Sequence, residues 1–130
     1  MKHTILLGIL LALLLVSRPA NAETFQPGTV IVPMDTTHQN SGMFKAFGLV
    51  YALLQQGVPV SWTIRQGKLH GQADFTASAT RYPSGTAVNN HGYRGGPFVV
   101  DVADATPQAF AIIDAWLVAH PTTTVHVATT

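Results

Sequence analysis

The 130-residue chain has no cysteine. That absence excludes disulfides, thiol nucleophiles and thiolate metal sites. Charge is scarce as well: Asp, Glu, Lys and Arg make up 10% of the residues, seven basic against six acidic. No basic stripe is present to track nucleic acid or an acidic lipid surface. The common catalytic signatures are missing. There is no G-x-S-x-G nucleophile elbow, no H-E-x-x-H zinc pair, no G-x-G-x-x-G fingerprint and no P-loop. No two of the six histidines stand four residues apart on a helix.

What is present begins with an export signal. Lys2 supplies the positive start, Ile5 to Val16 forms an apolar run broken only by Gly8, and Pro19 precedes the small-x-small triplet Ala20-Asn21-Ala22. This is the pattern of a cleavable signal peptide over residues 1–22. The run is too short for a membrane span, which needs about 20 apolar residues. No cysteine follows the small residues, so lipid anchoring is excluded. Cleavage after Ala22 predicts a periplasmic or secreted protein. It also removes Lys2 and Arg18, so the mature part carries five basic and six acidic residues. No nucleic acid and no membrane partner is expected once the signal is gone.

The mature chain, residues 23–130, reads as one α/β domain. Thr29 to Met34 is a β-branched run of the kind buried on both faces. Asp35 to Gly42 is a polar loop. Met43 to Gln56 carries a helical apolar stripe, with Ser41 as expected N-cap and Gly57 just past its end. Val58 to Ile64 alternates as a second strand, with Pro33 and Pro59 marking strand ends. Residues 66–96 are rich in Gly, Ser, Thr and Asn, and Pro83-Ser84-Gly85 is a turn signal, so a β-rich insert of hairpin form is expected there. Pro97 to Asp101 is a third buried strand. Thr106-Pro107 starts a helix running to Ala119, which His120-Pro121 stops. Val125 to Val127 is a fourth strand. The order β-α-β-insert-β-α-β predicts a mainly parallel sheet with flanking helices, Rossmann-like or flavodoxin-like. Four strands ending without a closing helix predict the front part of a larger domain, completed by more chain or by another subunit.

In an open parallel sheet, ligands sit beyond the carboxyl ends of the strands. That rule selects Asp35, Thr36 and His38 after the first strand, Arg65 and Lys68 after the second, and Asp101 and Asp104 after the third. Tyr93 and Arg94, bracketed by Gly92, Gly95 and Gly96, would face the mouth of the same crevice or form a tight connection into the third strand. The expected ligand site is therefore Asp35, Thr36, His38, Tyr93, Arg94 and Asp101. Asp35 and Asp101 are equally suited to capping loops and helices. Asp35-Thr36-Thr37 lacks the second Asp that phosphotransferases with a strand-end Asp nucleophile place at the position of Thr37. His38, His70 and His91 fall in expected loops that could converge, but their spacing implies no metal, and no cofactor is implied.

The strings VPMDTTHQNSGMFKAFGLVYALLQQGVPVSWTI, DFTASAT and HGYRGGPFVVDVADA resemble the N-terminal region of large uncharacterised exported bacterial proteins. The element order is similar to class I glutamine amidotransferase-like and flavodoxin-like domains. That class uses a Cys nucleophile, absent here, so the resemblance implies a non-catalytic module serving assembly or ligand binding. The alternative is an exported enzyme acting on a glycan or small molecule, with its site at the strand ends.

Overall fold

A computed structural model describes residues 25–130; the expected signal peptide lies outside the described residues. The elements run β1 (Val30–Val32), α1 (Thr36–Gln39), α2 (Met43–Gln55), β2 (Ser61–Trp62), β3 (Phe75–Tyr82), β4 (Ala87–Tyr93), β5 (Phe98–Val100), α3 (Pro107–Ala119) and β6 (Val125–Ala128).

Local sequence accounts for most of these boundaries. Thr106 caps α3, its Oγ1 accepting the Ala109 amide at 3.3 Å, with Pro107 in the first turn. Gly57 follows α2 with a φ of 78°, the left-handed conformation that ends a helix. The loop after β1 differs from expectation. Asp35 accepts the His38 amide at 3.1 Å and starts the one-turn helix α1, so α2 begins after Gly42 rather than Ser41. Of the expected second strand, only Ser61 and Trp62 join the sheet.

The six strands lie in the order β2-β5-β1-β6-β3-β4, and every pairing is antiparallel. The mainly parallel Rossmann-like or flavodoxin-like sheet is therefore wrong, and the likeness to amidotransferase-like domains falls with it. β1 and β2, joined across α2, do point the same way, but β5 enters between them. β5 and β6, joined across α3, are split in the same manner by β1. Two interlocked split β-α-β units of this kind make the ferredoxin-like arrangement, here with the β3–β4 hairpin added beyond β6. The final strand, β6, lies between β1 and β3; the edges are β2 and β4.

The sheet does not stay flat. Strands spaced ~4.8 Å apart would put β4 roughly 14 Å from β1. Yet Tyr93 of β4 belongs to one buried apolar cluster with Ile31 of β1 and Val99 of β5, and its hydroxyl reaches His126 of β6 at 2.7 Å. A register break between Ala77 and Ala79 bends β3, as a bulge does. The outer half of the hairpin extends the sheet, and its base swings over the face away from the helices. Alternation along β1 then serves two cores. Val30 and Val32 meet Leu49, Leu53, Ala109 and Ile113 under the helices. Ile31 meets Phe75, Ala77 and Tyr93 under the hairpin. Burial on both faces, read from the sequence as a parallel sheet, arises because the chain covers the second face with its own hairpin.

Candidate functional site

The folded-over hairpin meets the end of β1 in a cluster of polar rings. Asp35, just past β1, bonds through Oδ2 to His91 Nε2 at 2.9 Å. The His38 ring stands edge-on to His91 at 4.4 Å between centroids and to His126 at 4.7 Å. His126 Nδ1 shares a 2.7 Å hydrogen bond with the Tyr93 hydroxyl. Tyr93 also stacks on Phe75 at 5.0 Å, which seals the inner side. Three separate pieces of chain deliver the five groups: α1 and its cap, β4 and β6.

The cluster is mostly withdrawn from water. His126 and Tyr93 are fully buried. The Asp35 side chain retains 7% of its exposure and that of His91 17%. Burial, with the neighbouring His38 and His91 adding to it, pushes the His126 imidazole down to about 4. Burial and His91 also hold His38 below the usual histidine range. Burial raises the Tyr93 phenol. At neutral pH His126 and Tyr93 are therefore uncharged. His126 Nε2 is buried without a hydrogen-bond partner.

Chemically, a His–carboxylate pair such as His91–Asp35 orients an imidazole for proton transfer. Among the described residues, no group of three or more His, Asp or Glu side chains is arranged to hold a metal ion.

The residues expected from strand ends and from the glycine-bracketed string divide. Asp35, His38 and Tyr93 come together. Thr36 is exposed on α1, and Arg94 is exposed in the turn leading to β5. Asp101 lies at the other end of the sheet, because β5 runs against β1 and Val100 pairs with Val30. There it closes a loop: its carbonyl accepts the amides of Asp104 and Ala105, and its Oδ1 accepts the Val102 amide. Arg65 and Lys68 serve a buried carboxylate instead. Asp74 takes the Arg65 amide on Oδ1 and the Gly96 amide on Oδ2, both at 2.9 Å, and Lys68 at 2.8 Å. Of the loop histidines, His38 and His91 converge and His70 stays exposed outside the cluster. The sequence identifies His126 only as part of a strand. Nothing local marks it, since its partner Tyr93 is 33 residues away in sequence.

Two surface features lie apart from the cluster. A groove of about 760 Å³ runs between the β3–β4 turn and α3, where Tyr82 donates to Asp114 at 2.6 Å. The other is apolar. Phe44, Phe47, Tyr51 and Leu54 form a stripe on the outer side of α2, with Phe44 89% exposed and Tyr51 64%. Phe47 packs on Phe98 of β5, and Phe98 stacks on Trp62 of β2. Trp62 (62% exposed) and Ile64 (51%) continue the surface along the sheet edge. In comparison with known proteins, the chain matches no family model, no curated protein and no solved structure.

Proposed function

We propose that the chain is a non-catalytic module of an exported protein and works by docking to another polypeptide. The observation that carries this reading is the apolar surface of α2 and β2. Six large apolar side chains stand about half to nine-tenths exposed along α2 and the β2 edge, joined through the rings of Phe47, Phe98 and Trp62. Soluble monomers rarely leave contiguous apolar patches much above a few hundred Å² uncovered, and larger ones mark interaction sites. Export rests on the leader at residues 1–22. The test is the size of the native species. Wild-type protein from its host should sediment above the mass of one chain, and Phe44→Glu with Tyr51→Glu should return it to that mass. A native species at single-chain mass refutes docking.

One observation favours an exported enzyme instead: the Asp35–His91 pair beside the unpartnered His126 Nε2. Asp35→Asn and His91→Gln would then abolish turnover of a glycan or small-molecule substrate while leaving the fold intact. Equal turnover in wild type and both variants would exclude this use of the pair.

A further inference from the structure

We infer that the partner is a second copy of this chain, joined edge to edge through β2 with the two α2 helices facing each other. This inference rests on the docking reading above and names its occupant.

β2 is a sheet edge with one side open. Ser61 is paired with Val99, and the Thr63 amide donates to the Pro97 carbonyl at 3.0 Å. In an antiparallel ladder, alternate residues turn their backbone groups the other way. The amide and carbonyl of Trp62 therefore face away from β5, ready to pair with another strand. The other edge, β4, offers no comparable surface. It reads Ala-Val-Asn-Asn-His-Gly-Tyr and is interrupted at Asn90, where φ is 46°.

A two-fold axis through paired β2 strands fits the dimensions of the helix layer. Strand spacings of ~4.8 Å put β5 and its copy roughly 14 Å apart. α2 rides over β5, with Phe47 5.7 Å from Phe98 between ring centroids. Packed helices sit about 8–10 Å apart, so the two α2 helices would leave a narrow trough between them. Trp62 lies on that same face of the sheet, stacked on Phe98, and Ile64 shares its side of the strand. The side chains of both residues from both copies fill the trough.

Area and charge agree with a self-complementary contact. At ~150–250 Å² for each large side chain, the exposed parts of Phe44, Phe47, Tyr51, Leu54, Trp62 and Ile64 come to about 700 Å². A stable interface buries about 800 Å² per partner. None of the six is charged, so a two-fold brings no like charges into contact. Lys45 is turned about 100° away from Phe44 around the helix.

The test uses purified mature protein, residues 23–130, in sedimentation experiments over a range of concentrations. Wild type should associate to a dimer. Phe44→Glu with Tyr51→Glu should be monomeric with an unchanged far-ultraviolet circular dichroism spectrum. If that pair fails to fold, Ile64→Lys should weaken dimerisation at least tenfold. Because the chain has no cysteine, single cysteines report the geometry. Ser61→Cys should crosslink with a short bis-maleimide, and Val118→Cys on α3 should not. A wild-type monomer into the high micromolar range overturns the second copy, as does a dimer that survives these substitutions or crosslinks only through Val118→Cys. If the purified chain is monomeric while the larger native species still depends on Phe44 and Tyr51, the second copy is wrong and docking stands. If both are single chains, both readings fail.

Discussion

Asp74 is a buried carboxylate that ties three segments together. Burial opposes its ionisation, but Lys68 and the amides of Arg65 and Gly96 outweigh that cost and hold its pKa below the ordinary value. Asp74→Ala would strand both amides and the Lys68 ammonium. The expected loss is about 2–3 kcal/mol, read as a fall in the urea midpoint. His126 makes the opposite kind of demand, since it is stable only when neutral. Unfolded, it takes a proton near pH 6.5; folded, only near about 4. Its contribution is complete above pH 6.5 and is lost as pH falls from there toward 4, by about 3 kcal/mol in all. His38 carries the same sign. Urea unfolding at pH 7 and pH 4.5 should show this drop in wild type, and His126→Asn should show a smaller one. Asp35 and His38 were legible as polar residues near a strand end, and Tyr93 from the glycines that bracket it. His91 and His126 joined them only through a fold that brings distant segments into contact.

Among the elements, the helices and the hairpin were the most legible. Thr106-Pro107 and Gly57 act through the backbone groups of their own helix ends, so local chemistry suffices. The turn at Pro83-Ser84-Gly85 joins β3 to β4 for the same reason. The string Arg94-Gly95-Gly96 is a tight connection into β5. Gly95 has a φ of 74°, and a Cβ there would stand 2.9 Å from the Met34 carbonyl oxygen. Gly95→Ala should cost about 1–3 kcal/mol through backbone strain and that contact. It should also push Met34 away and loosen the Asp35–His91 pair next to it. Thermal unfolding checks the first effect, and the imidazole proton shifts of His91 check the second.

For the whole molecule, the expected leader and the fold make separate demands. Export predicts that mature protein recovered outside the cytoplasm begins at Glu23, which N-terminal sequencing would show directly; a chain beginning at Met1 would refute cleavage. Without disulfides, the chain folds on packing alone, and it does so with two cores on one sheet. Each core is small, and the hairpin base is needed to close the second.

The sequence by itself determined the order of the strands and of the two long helices, the cap of α3 and most turns, the absence of thiol chemistry and the expectation of export. These depend on neighbours along the chain, whose spacing is written in the residues. Only the tertiary structure decided strand direction, strand order and the meeting of Asp35, His38, His91, Tyr93 and His126. A run such as Val30-Ile31-Val32 records that both faces are buried, not what buries them. Helices on both faces and a helix layer opposed by a folded hairpin leave the same apolar imprint. The choice between them rests on contacts between distant segments, such as the Asp35–His91 bond and the Asp74 bonds to Arg65 and Gly96.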